Sequence, residues 1–142
     1  MLQRLADRQA ITDVLALFCE RIDEYDIDAV ARLFSEDCLV DYGPGRGGEQ
    51  RGRQALARRL RRGQGQFRRT HHQLGQVRVE LTGDEAFAVT YVTAWHELWD
   101  GGHETARLQY RDRFLRTGAG WLIAERRALA AGIEGFEGVP WT

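Results

Sequence analysis

The stretch that decides the fold runs from residue 69 to residue 98 and reads RTHHQLGQVRVELTGDEAFAVTYVTAWHEL. Both halves contain apolar side chains at every second position, which is the period of a β-strand. Between them, Thr82-Gly83-Asp84 is a turn signal. The stretch therefore predicts a hairpin of two long strands, residues 72–81 and 85–98.

The second strand of this hairpin has two unlike faces. Small side chains leave room for a ligand, so their face is the expected wall of a cavity; the residues are Ala86, Ala88, Thr90, Val92, Ala94 and His96. Bulky side chains fill the other face, which we expect to be covered by a partner subunit or a helix; they are Phe87, Val89, Tyr91, Thr93 and Trp95. The bulky face predicts a homodimer.

Two adjacent histidines, His71 and His72, begin the first strand. An unperturbed imidazole titrates near pH 6.5, so it can act as a general base at neutral pH. Adjacent strand residues point to opposite faces, so one of the pair looks inward, and this arrangement suits shared metal coordination poorly. His72 and Val77 can both face inward only if Gly75 hosts a bulge. A metal site is not expected, and either histidine remains open as the inward base.

Two further strands are predicted downstream, at residues 104–116 and 121–131. Tyr110 shares the inward face of the first of them. On the last strand, Leu122, Ala124, Arg126 and Ala128 share one face. Arg126 is therefore expected either to point into the cavity or to form a structural salt bridge. Residues 132–142 lack periodicity and are expected to cover the pocket mouth or to form a frayed end.

The upstream part of the chain predicts helices. An amphipathic helix at residues 6–25 carries an apolar stripe at steps of three and four, and Leu15, Cys19 and Asp23 extend it. Asp23 is therefore expected either to face inward or to be a solvated acid at the helix end. A second helix at residues 26–34 is capped by an aspartate, a short strand follows at residues 38–42, and a third helix spans residues 54–62.

Composition narrows the chemistry. The 142 residues fit a single domain, 1–142, with its core in residues 5–131. All 20 basic residues are arginines, which excludes a lysine Schiff base and pyridoxal phosphate chemistry. Cys19 and Cys38 lie in apolar surroundings and are interpreted as buried thiols. No segment predicts a signal peptide or a membrane span, so we expect a cytoplasmic protein.

Nucleic-acid binding has to be weighed, because residues 46–69 contain nine arginines against one acid, Glu49. The same stretch holds one aromatic residue, Phe67, and the formal charge of the whole protein is -1. A solvated helix face is therefore the favoured interpretation, and nucleic acid is not the expected partner.

The order and spacing of several short segments resemble the SnoaL-like, scytalone-dehydratase-like branch of the nuclear-transport-factor-2-like superfamily. The segments are Asp7-Arg8-Gln9-Ala10-Ile11, Arg21-Ile22-Asp23, Val30-Ala31-Arg32-Leu33-Phe34, Gly52-Arg53-Gln54-Ala55, Thr70-His71-His72, Tyr110-Arg111-Asp112-Arg113-Phe114 and Gly120-Trp121-Leu122-Ile123-Ala124. The resemblance covers residues 5–129. It implies an α+β cone-shaped barrel, in which a strongly curved antiparallel sheet wraps around N-terminal helices and encloses a pocket.

The resemblance also implies a site. Catalytic members pair an inward strand histidine with an aspartate near the end of the first helix, and His72 and Asp23 match these positions. His96, Tyr110 and Arg126 are then candidates to bind substrate or to stabilise an oxyanion. The arginine is supported by a resemblance to the dehydrochlorinase members of the superfamily.

Two functions are consistent with the resemblance. The leading one is a cofactor-free lyase or isomerase, dehydratase- or cyclase-like, that removes a carbon-bound proton from a small apolar carbonyl-bearing or polycyclic substrate. The alternative is a noncatalytic ligand-binding or assembly subunit, because one fold supports many functions.

Overall fold

The computed structural model describes residues 1–135. Three helices and six strands follow one another as α1 (Leu2–Asp23), α2 (Ile27–Ala31), β1 (Phe34–Asp41), β2 (Glu49–Arg51), α3 (Arg53–Gln64), β3 (Phe67–Thr82), β4 (Glu85–Leu98), β5 (His103–Thr117) and β6 (Gly120–Gly135). The predicted α+β class and the four-strand C-terminal meander are confirmed. None of the helices in residues 1–135 is long and apolar enough to cross a membrane.

The strands form one curved, unclosed sheet in the order β2-β1-β6-β5-β4-β3. All neighbouring pairs are antiparallel except β1 and β6, which run parallel. The predicted antiparallel sheet thus contains one parallel pairing, which the sequence did not indicate. The helix α1 packs against β3 and β6, inside the curve of the sheet.

Helix α1 is fixed to the sheet by apolar packing along its length and by polar contacts at both ends. Ile11, Leu15 and Ile22 are almost completely buried in the core. Near the first turn, the Arg116 guanidinium donates to both carboxylate oxygens of Asp7, at 2.8 and 2.7 Å. This ion pair holds the pKa of the Asp7 carboxyl well below its usual range. At the other end, Asp23 bonds to β3.

The second predicted helix is too long by one turn. Asp26 caps it as expected, since its Oδ1 accepts from Ala29 N–H at 3.2 Å, but the helix ends at Ala31. β1 then begins at Phe34, not at Cys38, because it pairs with β6: Ile123 N–H donates to Leu33 O at 2.9 Å. The short strand β2 was not predicted from its three polar residues.

Two of the irregularities in strand pairing bear on the side-chain directions predicted for β3 and β6. Between the pairs Leu74–Val92 and Val77–Thr90, two residues of β3 oppose one residue of β4, so the bulge predicted at Gly75 is confirmed. A second bulge on β6 buries Ile123 and Ala124 together. Ile123, rather than Leu122, is therefore the fully buried residue there, contrary to the simple alternation.

Candidate functional site

The end of α1 and the start of β3 bring Asp23 and His72 together. His72 Nδ1 lies 2.7 Å from Asp23 Oδ1. The same carboxylate accepts the His72 backbone N–H at 2.9 Å, through Oδ2, and the Thr70 hydroxyl at 2.8 Å, through Oδ1. The Asp23 position is therefore fixed by three hydrogen bonds from one strand.

These hydrogen bonds determine the charge of Asp23 and the tautomer of His72. Partial burial opposes ionisation of the Asp23 carboxyl, but its bonds to His72 and Thr70 outweigh burial and lower its pKa. An ionised carboxylate only accepts hydrogen bonds, so the proton of the neutral imidazole resides on Nδ1. The lone pair of the ring is consequently on Nε2, which bonds to no residue in the part of the chain described.

Nearly the whole His72 side chain is buried, and it lines an internal cavity of about 60 Å³. His71, its neighbour, is exposed. Of the two histidines, His72 is thus the inward one. The apolar part of the cavity wall comes from β4, β5 and β6, through Ala94, Ala106, Leu108, Ala128 and Ala130. The small face of β4 therefore lies inside the fold, as predicted.

A second buried histidine, His96, also lines this cavity, with its ring 5.7 Å from the His72 ring and perpendicular to it. Burial, together with the proximity of His72, lowers the pKa of His96 to about 3. His96 is therefore neutral at physiological pH. Its Nδ1 lies 3.3 Å from the main-chain oxygen of Glu104, to which a neutral ring donates.

Tyr110 and Arg126 are in contact, but only Tyr110 lines the cavity. Tyr110 lines the cavity, and burial raises the pKa of its hydroxyl, so the hydroxyl keeps its proton. The Arg126 guanidinium is stacked 3.9 Å from the centre of the Tyr110 ring and is not part of the cavity wall. It donates to both oxygens of buried Asp112, at 2.7 and 2.9 Å. Of the two expectations for Arg126, the structure places it in the salt bridge.

The cavity is also lined by Tyr42 and by three polar residues that sequence reasoning missed: Arg46, Arg59 and Gln64. Arg59 and Gln64 come from α3, and Arg59 is only 5% exposed. Gln64 continues the buried positions Leu56 and Leu60 at steps of four, a helical signal that could have identified it. Arg59 carried no such signal, because it lies within the arginine-rich run.

The arginines of that run are mostly engaged within the protein. Arg53 donates to Phe34 O, Arg61 pairs with Asp28, and Arg69 pairs with Glu97. Some of these arginines are buried, some are paired with acids and some are exposed, so they do not form the continuous basic surface expected of a nucleic-acid-binding site. Within residues 1–135, no cluster of three or more potential metal ligands is found.

Comparison with known protein families agrees with the resemblance found in the sequence. The family model described as the SnoaL-like domain matches residues 3–127. No curated protein sequence matches the chain significantly.

Solved structures match along most of the chain. A protein from Novosphingobium aromaticivorans provisionally named an aromatic ring hydroxylase is 26% identical, with 93% of this chain and 94% of that chain covered and a TM-score of 0.87. A protein of the same organism provisionally named a scytalone dehydratase is 24% identical, over 97% and 93%, with a TM-score of 0.89. Hexachlorocyclohexane dehydrochlorinase LinA type 3 from Novosphingobium barchaimii is 17% identical, over 97% and 95%, with a TM-score of 0.83. The last two likenesses show the fold.

Proposed function

Since the chain belongs to the family of SnoaL-like domains, we propose that it is a cofactor-independent lyase or isomerase in which His72 removes a carbon-bound proton from a small, mostly apolar substrate. The substrate class we propose is a carbonyl-bearing or polycyclic compound. The observation that carries this proposal is the 2.7 Å contact between His72 Nδ1 and Asp23 Oδ1 at the wall of a cavity.

The proposed chemistry divides between the two residues of the dyad. His72 Nε2 takes the proton from the carbon next to the substrate carbonyl, and the electron pair of the broken C–H bond moves into the enolate. Asp23 keeps Nδ1 protonated and stabilises the imidazolium that forms. The proton then returns to another carbon in an isomerisation, or a leaving group departs in an elimination.

The developing oxyanion needs a hydrogen-bond donor. We assign this role to Tyr110, whose hydroxyl is protonated and lines the cavity. His96 is placed less well for it, because a neutral ring that donates from Nδ1 to Glu104 O presents an acceptor at its other nitrogen. In this scheme Arg126 positions Tyr110 through the stacked guanidinium and does not touch the substrate.

The first test measures proton transfer without requiring the natural substrate. Purified protein is incubated in D2O with cyclohexanone or 2-tetralone, and deuterium at the carbon next to the carbonyl is followed by NMR. Chloride release from hexachlorocyclohexane is measured in parallel, because a structural neighbour is named for that reaction. We expect wild-type protein to accelerate at least one reaction over buffer.

Three variants identify the base. His72→Gln and Asp23→Asn are expected to lose activity, the first by roughly 10² to 10⁴, while circular dichroism shows them folded. His71→Gln is the matched control, because His71 is exposed, and it is expected to remain active. A fully active His72→Gln protein would contradict the proposal.

A noncatalytic assembly or ligand-binding subunit is the second candidate. It is favoured by the aromatic side chains of Phe87 and Tyr91, which are exposed on the sheet. It predicts that no probe reacts and that a stable complex with another protein can be isolated. A cytoplasmic location is part of both proposals.

A further inference from the structure

The internal cavity is too small for the substrates proposed above. Its volume is about 60 Å³, whereas a cavity of about 150 Å³ is known to hold benzene. A ring-sized ligand that reaches His72 must therefore extend into neighbouring space.

A surface groove of about 350 Å³ supplies this space. Asp23 lines the groove while His72 lines the cavity, so the two spaces lie on either side of the dyad. Aromatic groove walls come from Tyr25, Phe67 and Trp99. The volume of the groove lies in the range of small-molecule sites, roughly 300–1,000 Å³.

Gln64, the last residue of α3, lines both the groove and the cavity. It is only 7% exposed, and its Oε1 is buried without a hydrogen-bond partner in the part of the chain that the structure describes. Leaving a buried polar atom unpaired costs folding free energy. An amide kept at this cost, between the groove and the dyad, is explained by a ligand that pairs with it.

We propose that Gln64 is a substrate-binding residue, whose side-chain oxygen accepts a hydrogen bond from a hydroxyl group of a ring-sized ligand lying across the groove and the cavity. The inference rests on the proposed function for the location of the ligand, and it narrows the substrate class from apolar carbonyl compounds to hydroxylated ones. Gln64 then selects the substrate, and the dyad acts on it.

Phenol and toluene are suitable probes, because they have the same size and only phenol can donate a hydrogen bond. Their dissociation constants are measured by following backbone amide shifts of ¹⁵N-labelled protein. We expect wild-type protein to bind phenol about tenfold more tightly than toluene, the effect of one hydrogen bond made to a buried acceptor. Absence of this preference, or of binding by either probe, would overturn the proposal.

Gln64→Met tests the residue itself, with Gln54→Met as the matched control on an exposed position of the same helix. Gln64→Met is expected to lose the preference for phenol and to keep its affinity for toluene, and Gln54→Met to bind both probes as wild type does. A Gln64→Met protein that still prefers phenol contradicts the proposal.

Two further readouts separate the possible explanations. Because Gln64→Met removes an unpaired buried amide, the melting temperature without ligand is expected to be equal to or above that of wild type; a clear fall would mean that Gln64 serves the structure instead. His72→Gln is expected to retain the preference for phenol while losing proton exchange. If the wild-type protein catalyses no proton exchange but prefers phenol, the catalytic proposal is rejected and the Gln64 site still stands.

Discussion

At the scale of single residues, the ion pair between Arg126 and Asp112 is the most completely buried polar contact of the site, at 1% and 0% side-chain exposure. Removing one partner of such a pair leaves the other charge unpaired, at a cost of about 3–5 kcal/mol. We expect Arg126→Met and Asp112→Leu each to lower the free energy of unfolding by this order, as measured by urea denaturation.

The double variant supplies the control for this prediction. Replacing both members of a buried pair by apolar side chains is often neutral or stabilising, so the double variant is expected to be more stable than either single one. A double variant whose loss equals the sum of the two single losses would show that the residues act independently. A stable double variant also allows the effect of Arg126 on Tyr110 and on activity to be measured without a large loss of stability.

His96 makes the stability of the fold depend on pH. Its folded pKa is about 3, against about 6.5 in an unfolded chain. Between these values the unfolded state binds more protons, so the contribution of His96 is complete above pH 6.5 and falls as the pH falls toward 3. At pH 5 the expected loss is about 2 kcal/mol relative to pH 7.

Because other buried acids also titrate, the measurement is a difference. Urea unfolding is followed between pH 7 and pH 5 for wild-type protein, for His96→Asn and for His71→Asn. The wild-type protein and the exposed His71→Asn control are expected to lose stability with similar slopes, and His96→Asn with a shallower one. Equal slopes in all three proteins would contradict the assignment to His96.

At the scale of elements, the bulge at Gly75 decides which side chains of β3 face the cavity. A Cβ added at Gly75 would lie 3.0 Å from Tyr91 O, whereas one added at Gly118 meets nothing within 4 Å. We therefore expect Gly75→Ala to destabilise the protein by about 1–3 kcal/mol, and Gly118→Ala to have little effect. The free energy of unfolding is measured with urea. If Gly75→Ala does not lower it, the backbone at Tyr91 can shift to make room for the added methyl group.

The same element shows what could be predicted from the sequence. The alternating strands and the parity conflict between His72 and Val77 are local signals, so the meander and the bulge could be predicted from them. The pairing of His72 with Asp23 was predicted from the family resemblance, because local signals left the orientation of both residues open. The parallel pairing of β1 with β6, the bulge near Ile123 and the burial of Arg59 depend on contacts between distant segments. Local periodicity carries no information on such contacts, and these features were missed.

At the scale of the whole molecule, one face of the sheet is left partly uncovered. Phe87 and Tyr91 are 36% and 47% exposed on β4, and Leu129, which is in register with Tyr91 across β5, is 37% exposed on β6. Isolated apolar residues at a surface are ordinary, but several on one sheet face favour an interface. The prediction of a homodimer through this face, made from the sequence, is untested.

The dimer prediction is tested by light scattering at micromolar concentration, where wild-type protein is expected to have twice the chain mass. Tyr91→Glu places a charge in the proposed interface, and burial of an unpaired charge is costly, so this variant is expected to be monomeric. The control Arg58→Glu changes charge at an exposed position of α3, outside this face of the sheet. If dimers form through this face, Tyr91→Glu should leave proton transfer intact, because the dyad and the cavity lie on the opposite side of the sheet. A monomeric wild-type protein would reject the interface, and a dimeric Tyr91→Glu protein would move it to another surface.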